Sequence, residues 1–92
     1  MNPMDILEEA RFLVDGDRND AYGNPDIKYQ QIAKVWSILL KTDISPAQVV
    51  LAMCAVKMVR ASNRDTFNRD DLVDLCGYAL ILSRMSEVKD AN

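Results

Sequence analysis

Residues 45–62, SPAQVVLAMCAVKMVRAS, form the stretch that decides the fold. Ser45 is a suitable helix N-cap and Pro46 suits the first helical position, so we expect a helix to begin here. Positions 49–56 carry no polar side chain, and the first charged residue is Lys57. A helix that is apolar on all sides must be covered on all sides. We therefore predict the central helix of an all-α, four-helix bundle that a second copy of the chain completes.

The next apolar stretch, residues 70–82 (DDLVDLCGYALIL), predicts a final helix antiparallel to the first. Asn68 is its expected N-cap, and acidic residues in its first turn suit the helix dipole. Only about six residues separate the two helices, and connections of this length join antiparallel neighbours. Counting back from the connection gives three level pairs, namely Arg60 with Asp71, Lys57 with Asp74, and Cys54 with Gly77. The missing side chain of Gly77 is then expected to let these two helices approach closely.

Two further helices precede this pair, and each begins with the same Asn-Pro signal, at positions 2–3 and 24–25. Apolar residues then recur at spacings of three and four. In the first helix these are Ile6, Leu7, Ala10, Leu13 and Val14, in the second Tyr29, Ile32, Ala33, Trp36, Leu39 and Leu40, and in the last Leu72, Leu75, Cys76, Ala79 and Leu82 or Ile81. The prediction is one helical domain, 1–92, with helices at about 3–15, 25–41, 46–62 and 69–86.

Composition and charge exclude several classes of function. The net charge of −3 offers no broad basic surface for duplex nucleic acid or an anionic membrane. The chain has no histidine, and Cys54 and Cys76 lie within apolar helical patterns, so we expect buried thiols and no zinc site. No apolar run approaches the roughly 20 residues that a membrane-spanning helix requires. We expect a cytoplasmic protein that does not enter the membrane.

The charged residues of the predicted hairpin have two interpretations. In the first, Lys57 and Arg60 form ion pairs with Asp71 and Asp74 and hold the two helices together. In the second, Asp71 and Asp74 present carboxylates to a Mg²⁺ ion, while Lys57 and Arg60 bind phosphate oxygens. Two carboxylates suffice for magnesium only when water and phosphate complete its octahedron.

The connection between the first two helices, DGDRNDAYGNPD at 15–26, also has two interpretations. It is rich in turn-forming residues, and Tyr22 is suited to covering the end of the bundle. Alternatively, Tyr22 stacks on a base, Arg18 contacts an anion and Gly23 permits a backbone turn close to a ligand. Loops beside a rigid helical scaffold are common places for binding residues.

Four motifs together resemble an uncharacterised family of small all-α domains that is common in phages and prophages. They are RNDAYG (18–23), IAKVWS (32–37), SPAQVVLAMCAVKMVR (45–60) and DDLVDLCGYA (70–79). The resemblance covers about Glu9 to Leu82 and implies a bacterial host cell. More distantly, the chain is similar to MazG-type nucleotide pyrophosphohydrolases and to phage nucleotide-modification-associated domains. The MazG resemblance implies Mg²⁺-dependent cleavage between the α and β phosphates of a nucleotide, in a groove between helices of an oligomer.

The chain departs from the MazG pattern in its acidic residues. Asp71 and Asp74 match the Glu-x-x-Asp element and are the metal ligands that the resemblance implies. The second element, Glu-Glu-x-x-Glu on the preceding helix, has no counterpart, because Lys57 and Arg60 occupy that place. Two cations there can neutralise phosphate without activating a water molecule.

The function expected first is therefore binding of a nucleotide, or another phosphate-bearing small molecule, without hydrolysis. Such a protein serves nucleotide metabolism or sequesters a nucleotide signal. The expected ligand-binding residues are Arg18, Tyr22, Gly23, Lys57, Arg60 and Tyr78, with Asp71 and Asp74 as candidate metal ligands. Two alternatives stay open. One is a divergent Mg²⁺-dependent pyrophosphohydrolase in which Glu8 or Glu9 of a neighbouring subunit completes the metal site. The other is a protein-interaction module with no small ligand.

Overall fold

A computed structural model describes residues 2–15, 25–65 and 68–85. Within these ranges the chain forms four α-helices, and no strand occurs in them. They are α1 (Pro3–Asp15), α2 (Pro25–Leu40), α3 (Pro46–Ser62) and α4 (Arg69–Ser83). The prediction of an all-α fold is confirmed. Among the described residues, no helix is both long enough and apolar enough to cross a membrane.

Among the described residues, side-chain caps begin α1, α3 and α4. The Asn2 carboxamide oxygen accepts a hydrogen bond from the Met4 amide at 3.0 Å, and the Asn68 carboxamide oxygen accepts one from the Asp70 amide at 2.9 Å. Ser45 and Gln48 form a capping box, in which each side chain accepts a hydrogen bond from the other residue's amide. These caps satisfy amides that helix geometry leaves without partners, so the helix starts are encoded locally.

The hydroxyl group of Ser37 stabilises the connection between α2 and α3. Ser37 Oγ accepts a hydrogen bond from the Ile44 amide at 2.9 Å and donates one to the Ala33 carbonyl at 2.7 Å. Lys41, directly after α2, has φ of 55°, the left-handed conformation that commonly ends a helix. The chain therefore reverses within five residues, and α2 and α3 become antiparallel neighbours.

The helices pack in the order α1, α4, α3, α2. α4 lies between α1 and α3, and α3 lies between α4 and α2. Ion pairs join Glu9 to Arg69 at the start of α4 and Asp15 to Arg84 just after its end, so α1 runs parallel to α4. The central helix of the prediction thus shares its central position with α4.

Two apolar clusters form the core. One joins α2 and α3 to the end of α4, and its buried members are Tyr29, Ala33, Val49, Val50 and Met85. The other joins α1 to α4, and its buried members are Ile6, Ala10 and Val73. Trp36 packs against the first cluster, and Cys76 packs against the second, each of them partly buried.

Four predicted core positions are solvent-exposed instead. Leu7 of α1 is 48% exposed, Leu39 and Leu40 of α2 are 70% and 62% exposed, and Ala79 of α4 is also exposed. Helical periodicity reports which residues share a face, and it does not report how far along that face a neighbouring helix extends. α4 turns Val73 and Gly77 inward, because it packs on two helices rather than one.

Candidate functional site at the hairpin of α3 and α4

Lys57 and Asp74 connect the C-terminal half of α3 to the N-terminal half of α4. Lys57 Nζ lies 2.7 Å from Asp74 Oδ2, and the two side chains are 15% and 31% exposed. This pair is the one that the predicted antiparallel register requires, and it is confirmed. The lysine stem passes along apolar surface while its ammonium group reaches the carboxylate.

Asp71 pairs with Arg64, and the predicted pair of Asp71 with Arg60 is wrong. Arg64 Nη1 lies 2.6 Å from Asp71 Oδ2, and the Asp71 side chain is only 3% exposed. Ala61 is buried and takes the inward position one turn after Lys57, which turns Arg60 toward solvent. Arg64 lies nearly in line with Lys57 because seven residues make about two helical turns. It follows the end of α3 and reaches back to α4.

Arg60 is left as an exposed cation between these two ion pairs. It makes no ion pair with any residue that the structure describes. The acids nearest in register, Asp71 and Asp74, are taken by Arg64 and Lys57. Within the part of the chain that the structure describes, no acceptor binds its guanidinium group, so its donors can bind an external acceptor.

Tyr78 follows Asp74 by one turn on α4, so both lie on the side of α4 that faces α3. Its ring is half-buried and packs against the cluster of Tyr29, Val49 and Val50. Tyr78 therefore lies next to the predicted site, but much of its ring is packed in the core.

Arg18, Tyr22 and Gly23, the predicted binding residues of the first connection, lie outside the described residues. The helix that follows them, α2, packs antiparallel against α3.

Gly77 does not serve the contact between α3 and α4 that the sequence suggested. It is buried against α1, where a Cβ atom added to it would lie 3.6 Å from Cγ2 of Val14. The prediction was wrong because the hairpin register indicates only which residue of α3 is level with Gly77. It does not indicate which neighbouring helix the Gly77 side of α4 faces.

The carboxylates of Asp71 and Asp74 are arranged for cations of the protein rather than for magnesium. Each accepts a short contact from a basic side chain, and no group of three acidic, cysteine or histidine side chains suited to a metal occurs in the described ranges. Glu9, the candidate third acid, is paired with Arg69. A Mg²⁺ ion would have to displace both Lys57 and Arg64, so the arrangement as it stands does not fit this ion.

The contacts between α1 and α4 were missed by the sequence reasoning. Arg84 binds both carboxylate oxygens of Asp15, and this hydrogen-bonded pairing holds the pKa of Asp15 below its usual value of 3.8. Arg69 binds Glu9 at the other end of the same helix pair. The available signal was a pair of acids on α1, Glu9 and Asp15, with arginines at the start of α4 and just after its end.

Other features lie apart from this hairpin. Cys54 and Cys76 are partly buried free thiols, and burial raises the pKa of the Cys54 thiol. An open depression of about 500 Å³ lies between α2 and the start of α3, with Ala33, Lys34, Ile38 and Ile44 among its lining residues. It is more than two helical turns of α3 away from Lys57, so it is not part of the predicted site.

Comparisons with known proteins place the chain among phage proteins. It is 37% identical over 82 residues to the Gene 55 protein of Mycobacterium phage D29, which covers 89% of this chain and 54% of that protein. It is 28% identical over 88 residues to the Gene 55 protein of Mycobacterium phage L5, which covers 95% and 56%. The chain thus spans about half the length of these relatives.

No solved structure is significantly similar to the chain. The predicted resemblance to a phage domain family is confirmed, whereas likeness to MazG-type enzymes stays a prediction. Residues 5–86 match the family described as a domain of unknown function, DUF6378, and the chain belongs to that family.

Proposed function

We propose that this protein binds a phosphate-bearing small molecule, with a nucleotide as the best candidate, beside the C-terminal half of α3 and without hydrolysing it. The observation that carries the proposal is the position of Arg60. Its guanidinium group is exposed and has no acidic partner among the described residues, although Lys57 and Arg64 on either side of it are paired. Arginine binds phosphate oxygens through two parallel hydrogen bonds.

The neighbouring residues support the same site. Lys57 contributes a second positive charge one turn away, and its ammonium group keeps donors beyond the one that contacts Asp74. Arg18, Tyr22 and Gly23, which lie outside the described residues, closely precede α2 in the sequence. In the proposal, Arg18 joins Arg60 on the phosphates and Tyr22 stacks on the base.

The ion pairs of the hairpin favour binding over hydrolysis. Cleavage of a phosphoanhydride by a MazG-type mechanism requires a metal ion to activate water. Asp71 would have to give up a buried contact to Arg64 before it could ligate magnesium. Separating the buried Asp71 carboxylate from its cation is costly, so in this proposal the bundle binds a nucleotide without metal chemistry.

A second candidate is a protein-interaction module that uses no small ligand. Two ion pairs favour it, Lys57 with Asp74 and Arg64 with Asp71. Both pairs account for these four residues through their contribution to the stability of the hairpin. Arg60 distinguishes the two proposed functions, because ion pairing within the hairpin does not account for an exposed arginine at this position.

Thermal melting against nucleotides and cyclic dinucleotides, each with and without Mg²⁺, tests the proposal. A ligand at 100 times its Kd adds about 2.7 kcal/mol of stability and raises Tm clearly in a domain of this size. We expect one class of nucleotide to raise Tm equally with and without Mg²⁺, and the nucleotide to be recovered intact.

Arg60→Gln provides the residue-level test, with Arg11→Gln as the matched control on an exposed helical arginine. Loss of a charged hydrogen bond costs about 1.5–3 kcal/mol, so the Kd should rise roughly 10- to 150-fold in the first variant only. Equal affinity in both variants would contradict the site. A complete absence of Tm shifts across the panel would favour the interaction module, and metal-dependent release of pyrophosphate would favour the enzyme.

A further inference from the structure

The side of α3 that faces away from α2 and α4 is apolar and exposed. Leu51, Met58 and Val59 are 56%, 61% and 59% exposed. Apart from Arg60, every exposed residue of α3 is uncharged; these are Gln48, Leu51, Ala55, Val56, Met58, Val59 and Ser62. We call Leu51, Ala55, Met58 and Val59 the outer face of α3. No described part of the chain covers it.

The total accessible surface is larger than that of a compact monomer. The chain exposes 6846 Å², whereas a compact monomer of 10.4 kDa is expected to expose about 5,400 Å². The excess of about 1,400 Å² exceeds the roughly 800 Å² that each partner buries in a stable protein interface. It is therefore large enough for one interface with a protein, and the exposed side of α3 is one of the apolar surfaces that contribute to it.

Ala55 is the small residue at the centre of the outer face, with Leu51 one turn before it and Val59 one turn after it. When a second α3 lies antiparallel with Ala55 opposite Ala55, each Leu51 becomes level with the Val59 of the other copy. Each Met58 becomes level with Ala52, which is partly buried in its own chain. The two alanines at the centre permit close approach of the helices, with large apolar side chains on either side of them.

Charge and polarity agree with the same arrangement. Lys57 and Arg60 lie on the other side of α3, so the two copies bring no like charges together at the centre of the contact. Gln48 and Ser62 stand at the two ends of the stripe and become level with each other in the reversed register. An apolar centre with polar ends is the usual anatomy of an interface between identical subunits.

We propose that the protein forms a two-fold symmetric dimer in which the outer faces of two α3 helices pack antiparallel, with the symmetry axis at Ala55. The contact covers the face that the bundle leaves exposed and sets the Lys57 and Arg60 sides of the two copies outward. The dimer does not depend on ligand binding, so it stands or falls separately from the proposed function.

Sedimentation velocity at micromolar concentration tests the interface with two matched variants. Met58→Glu places a carboxylate on the outer face, and Met4→Glu places one on α1, where the methionine is exposed to a similar degree of 58%. We expect the unchanged protein and Met4→Glu to sediment as dimers. Met58→Glu should be monomeric, with the dimer Kd raised by at least about 100-fold, because symmetry brings two carboxylates into one apolar contact.

Cross-linking tests the symmetry axis and does not depend on the folding of Met58→Glu. In a background carrying Cys54→Ala and Cys76→Ala, Ala55→Cys should link to its own copy through a short thiol-reactive linker. Leu51→Cys should link poorly to itself and well when mixed with Val59→Cys. A monomeric unchanged protein would overturn the proposal, and so would a dimer that survives Met58→Glu or that fails to cross-link through Ala55→Cys.

Discussion

Arg64, in the connection after α3, places its Nη1 atom 2.6 Å from Oδ2 of Asp71, which is buried in the first turn of α4. The contact lies at the turn of the hairpin, one helical turn beyond the Lys57 and Asp74 pair. It also takes the acid that would otherwise neutralise Arg60. The ion pair of Arg64 with Asp71 thus stabilises the hairpin and also leaves Arg60 exposed.

Replacing Arg64 by alanine should destabilise the protein far more than replacing Arg60. Arg64→Ala leaves the Asp71 carboxylate buried without its cation, and since Arg64 itself is partly exposed we expect a loss of about 2 kcal/mol. Arg60→Ala removes no described ion pair and should change the free energy of unfolding by about 0.5 kcal/mol or less. Urea unfolding of the two variants checks the difference. Similar losses in both would mean that Arg60, not Arg64, supports Asp71.

Gly77→Ala is expected to stabilise the protein. The added Cβ would meet Val14 Cγ2 at 3.6 Å, which is an ordinary van der Waals distance. Alanine is favoured over glycine inside a helix by about 0.5–1 kcal/mol, and nothing at this distance cancels that gain. Chemical denaturation should therefore give a higher unfolding free energy for the variant. Gly77→Leu is the control, because a longer side chain must push Val14 aside and lower stability. A destabilised Gly77→Ala would contradict the 3.6 Å spacing between the added Cβ atom and Val14 Cγ2.

The parts of the fold that the sequence predicted are those decided by nearby residues. The caps at Asn2, Ser45 and Asn68 are encoded within three residues of each helix start. The register that pairs Lys57 with Asp74 follows from the short connection between their helices. Contacts between residues far apart in the sequence could not be predicted in this way. No local pattern indicates that α1 packs along α4, or that Gly77 lies against α1.

The candidate site was predicted in part for the same reason. Lys57, Asp74 and Asp71 were recognised as belonging to one charged hairpin, and they do. The partner of Asp71 was misassigned because Arg64 lies outside the helical pattern from which partners were counted. The exposure of Arg60 depends on Ala61 being the inward residue of that turn, a rotation of the helix that burial decides and spacing alone does not.

Ser37→Ala should loosen the reversal between α2 and α3. The hydroxyl accepts from the Ile44 amide and donates to the Ala33 carbonyl, both in a partly buried setting, so its removal leaves an amide unsatisfied. We expect a loss of about 1–2 kcal/mol. Ser83→Ala is the matched control, since the Ser83 hydroxyl donates to the Leu80 carbonyl at an exposed helix end and accepts no described hydrogen bond. Thermal unfolding compares the two, and an equal fall in Tm would argue against a fastening role for Ser37.

The contact between Asp15 and Arg84 should make stability depend on acid pH. Hydrogen bonding to Arg84 lowers the pKa of Asp15 below 3.8 in the folded state. A carboxylate with a lowered folded pKa adds stability above its unfolded pKa, and this contribution is lost as the pH falls through the folded value. Arg84→Gln should therefore reduce the free energy of unfolding at neutral pH, and the difference in stability from the unchanged protein should shrink as the pH falls below 3.8.

In an NMR titration the Asp15 carboxyl should titrate at higher pH in Arg84→Gln than in the unchanged protein. Arg11→Gln, which removes only a 4.0 Å contact to the same carboxylate, should shift that titration less. Identical Asp15 titrations in the unchanged protein and Arg84→Gln would show that the pair does not form in solution.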